Sequence, residues 1–176
     1  MSVILSFMHG SQAGTKGFTI VEGMITVAII AIVAAMGPNL ITQITRYWRL
    51  QVARANVQKN ARISLDFSNR HLRQASATSV TLSQRPSQPP HSWVTFTIST
   101  GPLIGTYGIF QEGTNLNYAK NGTTNTLATD LKFLAFSYPK TDDATIISVS
   151  MAFEEATFTG YSKALQLSIE KVRIMN

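Results

Sequence analysis

The longest unbroken pattern in the chain is a run of 23 residues between Glu22 and Arg46 without a single charge. Within it, Met24 to Met36 is apolar apart from Thr26. The last third turns more polar, with Asn39, Thr42, Gln43 and Thr45, and Tyr47 and Trp48 follow at once. A helix of this length spans about 35 Å, enough for a hydrocarbon core of about 30 Å. Tyrosine and tryptophan are favoured where such a helix meets water. The pattern predicts a membrane-spanning helix. It does not predict a removed secretory signal, because the run outlasts a typical hydrophobic core and lacks a small-x-small site followed by a polar start.

Beyond Arg46 the period changes. Leu50, Ala53, Val57, Ala61, Leu65 and Leu72 recur at steps of three and four, or their sums, and no glycine or proline interrupts residues 39 to 85. This predicts a continuing helix to about Ala75 with a narrow apolar stripe packed on a sheet. Residues 84–91, with three prolines, are too proline-rich for a helix or a central strand. Strand-like segments follow at Trp93–Ser99, Thr106–Gln111, Leu116–Ala119, Leu131–Tyr138, Thr145–Phe153 and Ala164–Ile174, with Glu112-Gly-Thr-Asn115 as a hairpin turn. In the first of them Trp93, Thr95 and Thr97 share one face and Val94, Phe96 and Ile98 the other. About 100 residues of this kind can build an antiparallel sheet with its own core. The fold class expected is α+β, a long N-terminal helix packed on a C-terminal antiparallel β-sheet head.

Charge sharpens this division. The chain is basic, with pI near 9.8, yet seven of its cations (Arg46, Arg49, Arg54, Lys59, Arg62, Arg70, Arg73) fall in residues 46–73 against one acid, Asp66. Residues 74–176 carry as many acids as bases. The basic helix face is expected to be solvated, or to meet anionic lipid or acidic neighbouring subunits. Nucleic acid is not expected, because phosphate binding needs clustered cations and the head is neutral. With no cysteine there are no disulfides or thiolate sites. No nucleotide loop, nucleophile elbow or paired-histidine helix occurs. His9, His71 and His91 have no ligand spacing and are read as incidental. Asp142 and Asp143 read as a turn; a calcium site joining them to Asp130 or Glu154 is the alternative. Asn121-Gly122-Thr123 forms a glycosylation sequon but reads as a turn. Neither an enzyme nor a resident cofactor or metal is expected.

Two features of the apolar run are costly. Glu22 stands at its edge, where an unpaired carboxylate loses several kcal/mol, about 2.5 or more, on desolvation. Pro38, after Gly37, removes the amide that would bond the carbonyl of Ala34 and crowds that turn, predicting a helix kink. Lys16-Gly17-Phe18-Thr19-Ile20-Val21-Glu22, with the apolar run after it, resembles the N-terminus of type IV prepilins and type II secretion pseudopilins. The resemblance implies cleavage by a prepilin peptidase between Gly17 and Phe18, and N-methylation of Phe18. It also implies a role in assembly for Glu22, which neutralises the N-terminal amine of an adjacent subunit. A buried carboxylate is tolerable when an ammonium pairs with it.

There are departures. The family's proline falls one residue later, where this chain has Asn39, and the leader is long with Lys16 as its one charge; Met8 offers a shorter start. In the head, Leu127 to Tyr138, a strand ending near Glu154 and a close in Val172-Arg-Ile-Met-Asn176 are similar to minor pilins of the PilW kind and J-type pseudopilins.

The resemblance divides the chain into a leader (1–17), a transmembrane or filament-core helix (18–45), a basic amphipathic stem (46–75) and a β-rich head (76–176). It implies a minor pilin or pseudopilin that initiates or caps a type IV pilus or type II secretion pseudopilus. The alternative is a tip-located binding module for DNA uptake or adhesion. Implied partners are other pilin subunits, the prepilin peptidase and methyltransferase, and an inner-membrane assembly platform. The implied location is the bacterial inner membrane, N-terminus cytoplasmic and head periplasmic, then the filament. The excess of cations after the apolar run predicts the opposite orientation.

Overall fold

The computed structural model describes residues 17–157 and 163–175; of the leader expected at 1–17, all but Gly17 lies outside them. One helix, α1, spans Ile20–Leu72. The chain divides into two compact units at residue 44.

In the first unit the helix begins on a reciprocal cap. The Thr19 amide donates to Glu22 Oε2 at 2.9 Å, and the Glu22 amide donates back to Thr19 Oγ1 at 3.3 Å. Two amides that a helix start leaves without partners are satisfied this way. The helix runs through Gly37 and Pro38 without interruption. Thr42 Oγ1 donates to the Pro38 carbonyl at 2.8 Å, a local bond of the kind that short hydroxyl side chains make in apolar helices. From Ile20 to Ile44 every side chain is exposed except at the half-exposed Gly23 and Gly37.

The second unit holds the rest of α1 and eight strands: β1 Thr81–Ser83, β2 Trp93–Ile98, β3 Gly105–Glu112, β4 Asn115–Lys120, β5 Thr123–Ala128, β6 Leu131–Ser137, β7 Ile146–Ala156 and β8 Lys163–Arg173. They form two antiparallel sheets where one was expected: β1 to β5 in chain order, and β6-β7-β8. Residues near their chain junctions tie the sheets together. The Leu131 amide donates to the Thr114 carbonyl and the Phe136 amide to the His91 carbonyl, each at 2.8 Å.

Both hairpins after β3 are two-residue turns with the required glycine. Gly113, with φ 60°, sits between paired Glu112 and Asn115, as the sequence predicts. Asn121 and Gly122, with φ 50° and 89°, join β4 to β5, so the sequon is indeed a turn. Positive φ at both central residues matches the right-handed twist of the strands, and Asn-Gly adopts it at least cost. The proline-rich loop is pinned by Arg85, whose guanidinium lies 4.3 Å from the Phe110 ring centre and 3.7 Å from Glu112 Oε1.

The core forms where alternation and stripe meet. Val94, Phe96 and Ile98 of β2, Leu134 and Phe136 of β6, and Ile147, Val149, Met151 and Phe153 of β7 are buried. The stem contributes Ala53, Val57, Ala61 and Leu72 as expected, whereas Leu50 and Leu65 are only half-buried. Ser64, Ser68 and His71 complete the buried stripe. Small serines let the helix approach the sheet, and Ser64 Oγ satisfies itself by donating to the Asn60 carbonyl at 2.6 Å. The helix stops at Leu72, three residues before the expected end. Its last turns tighten, with Gln74 and Ala75 amides donating to carbonyls three residues back.

Candidate functional site

Gly17, Phe18 and Thr19 precede the first helical residue, and all three are exposed, Phe18 at 79%. The bond between Gly17 and Phe18 therefore lies outside the helical hydrogen-bond ladder, which is what a peptidase needs, since cleavage requires an extended and reachable backbone. Four residues later Glu22 projects from the first turn. Its carboxylate accepts from both the amide and the hydroxyl of Thr19, the latter at 3.0 Å. The start of the helix thus concentrates an accessible peptide bond, an anion held close to it, and a continuous apolar helix. A positive charge placed at Phe18 would sit beside that anion and the positive end of the helix dipole alike, so an acid here offsets a repulsion that the helix start creates. Thr19 was not singled out by the sequence reading, although Thr-x-x-Glu at a helix start is legible as a capping box.

Arg54, Lys59, Arg62, Arg70 and Arg73 are exposed, and Arg70 pairs with Asp66 at 3.0 Å. Three stem amides reach the head: Asn56 donates to Glu155 Oε1, Asn60 to the Thr129 carbonyl and Asn69 to Glu170 Oε1. The stem is fixed to the head through amides while its charges remain in solvent.

His71 is a core residue of the stem. It is buried, 3.9 Å from the Phe67 ring centre and 5.0 Å from that of Tyr107, with Nδ1 2.8 Å from the Phe67 carbonyl. Burial lowers its pKa below 6.5, with Arg70 and Lys120 adding to the effect against the bond to Phe67. Spacing reveals ligands, not burial, so this seat is not legible from the histidine's place in the chain.

Three of the four acids weighed for calcium are otherwise engaged. Asp143 accepts from the amide and hydroxyl of Thr145, which lowers its pKa. Glu154 pairs with Lys163. Asp130 accepts from Thr129 Oγ1. No group of three or more His, Asp or Glu side chains suited to a metal occurs among the described residues.

The helix is long and apolar enough to cross a membrane. Comparison with curated proteins and with solved structures finds no match. A family model, the prokaryotic N-terminal methylation motif, matches residues 13–37, which take in Gly17, Phe18, Glu22 and Gly37. Over that segment the chain carries the signal of type IV pilin-like proteins, set at the start of an apolar helix that precedes an α+β head.

Proposed function

We propose that the chain is a minor pilin or pseudopilin, made as a precursor, cut between Gly17 and Phe18 and methylated at Phe18. It then serves as a structural subunit that initiates or caps a pilus or secretion pseudopilus. The observation that carries this reading is Glu22. An acid fixed in the first turn of an otherwise uncharged membrane-length helix is costly in lipid unless a cation meets it. Cleavage at Gly17 creates such a cation, the new amine of Phe18, and a neighbouring subunit brings one within reach. The reading takes the inner membrane as the site of insertion, with the head outside the cytoplasm. A carboxy-terminal phosphatase fusion active in whole cells supports that orientation, and an inactive one reverses it.

Mass measurement of the protein from its native membrane tests the central claim. The expected mass begins at a methylated Phe18. A mass retaining residues 1–17 would overturn the reading. Gly17→Val should block leader removal altogether, whereas Glu22→Ala should be processed normally yet fail to enter filaments, read by its absence from sheared surface fractions.

A further inference from the structure

β8 runs against the pattern of the other strands. Its alternate residues Leu165, Leu167 and Ile169 are 64%, 59% and 62% exposed, while Gln166, Ser168 and Glu170 occupy the half-buried side. In β2 the arrangement is the reverse, with Val94, Phe96 and Ile98 buried. The apolar face continues across the sheet: Phe133 of β6 opposes Ala152 of β7, and Ala152 opposes Leu167. β8 also ends its sheet; β7 pairs with one edge, and among the described residues no strand pairs with the other. An eleven-residue edge strand with an apolar face is a template for another strand.

We propose that the occupant is a second copy of this chain, paired antiparallel through β8. The outward residues read Lys163, Leu165, Leu167, Ile169, Lys171, a sequence that is nearly the same in both directions about Leu167. A two-fold axis at Leu167 sets Leu167 opposite its own copy and Leu165 opposite Ile169 of the second copy, so each apolar side chain meets another. This is the self-complementarity that an isologous interface requires. Opposed side chains of antiparallel strands lie about 4.5–5.5 Å apart at Cβ, within contact for leucine and isoleucine. The axis also sets Lys163 opposite Lys171 of the second copy. Glu154 already pairs with Lys163, so that contact carries one uncompensated charge and not two. Pairing joins two three-stranded sheets into one of six and consumes the β8 edge of each copy, so association through β8 stops at two. None of this depends on how residues 1–22 are processed.

The chain has no cysteine, so Leu167→Cys introduces a unique thiol at an exposed position. The full-length protein in detergent micelles is treated with a short bis-maleimide. Leu167→Cys should convert to covalent dimer at least tenfold faster than Thr124→Cys, which is exposed on β5 at the end of the other sheet. Leu165→Cys alone and Ile169→Cys alone should cross-link poorly, but their mixture should give a heterodimer. Leu167→Asp should abolish any dimer that the parent protein shows by sedimentation through this edge. Equal rates at 167 and 124 would sink the proposal, and would mean that Lys163 and Lys171 serve to keep the edge single. Sedimenting dimers that do not cross-link at 167 would place association in the apolar helix and overturn it equally.

Discussion

The two halves of α1 show how one secondary structure can be maintained by opposite surroundings. Between Ile20 and Ile44 the helix is apolar on all sides, and its large side chains, from Ile20 to Ile44, lie open. From Ala53 to Leu72 a single stripe is buried at steps of three and four, or one, and the rest is polar. An all-round apolar helix finds its solvent outside the protein, in lipid or among other such helices. A striped helix finds it in its own sheet. Mutations should therefore act on separate observables in the two regions.

The sharpest break is in the core. Phe136 is fully buried in β6, and Phe136→Ala should cost about 3–5 kcal/mol in a denaturant titration of the head's fluorescence. Ile30→Ala, at a side chain 60% exposed, should leave that midpoint unchanged. If both shift it equally, the apolar helix packs within the protein and the comparison fails. Ile30→Arg carries the opposite expectation. The head's midpoint should stay put, while insertion loses about 2.5–3.5 kcal/mol, seen as protein released by alkaline extraction of membranes.

What was legible in the sequence follows the same line. A 23-residue charge-free run strongly favours a helix, and a proline cluster excludes one, so the helix and the loop at 84–91 were placed directly. β2 was recognised because its faces differ in polarity. β5, Thr-Thr-Asn-Thr-Leu-Ala, was missed because it is an exposed strand with almost no apolar face, positioned by the Asn121-Gly122 turn and by pairing with β4. β1 has only three residues, too few for a period. The split into two sheets depends on which strands pair, a tertiary fact that local pattern does not contain. In the stem, hydrophobic periodicity skipped Ser64, Ser68 and His71, since close approach selects for size and shape there and not for apolarity. The Gly17–Phe18–Glu22 spacing is a short-range chemical pattern and falls within the segment the family model matches; Thr19 was passed over although Thr-x-x-Glu at a helix start signals a cap.

His71 gives the finest distinction between the halves, because it titrates only through the second. Its surroundings include Phe67 and Arg70 on the stem, and Tyr107 and Lys120 across from it on the sheet, with Asp66 as the one opposing acid. Burial and two nearby cations favour the neutral ring, so its folded pKa lies below the 6.5 of a free imidazole. An unfolded chain then binds the proton more readily than the native one. Stability is fully present above about pH 6.5 and declines as pH falls below it, toward the lower folded value. A single group changes stability by at most about 1.4 kcal/mol per pH unit, so this is the smallest of the three effects. Denaturant midpoints at pH 7.5 and 5.5 should differ for the parent protein, and the difference should shrink in His71→Gln, which keeps a hydrogen-bonding side chain but cannot take up the proton. Membrane extraction should be indifferent to both the substitution and the pH. An undiminished difference in His71→Gln would mean that the acid sensitivity belongs to the head's carboxylates, such as Glu154 with Lys163, and not to the aromatic seat of the stem.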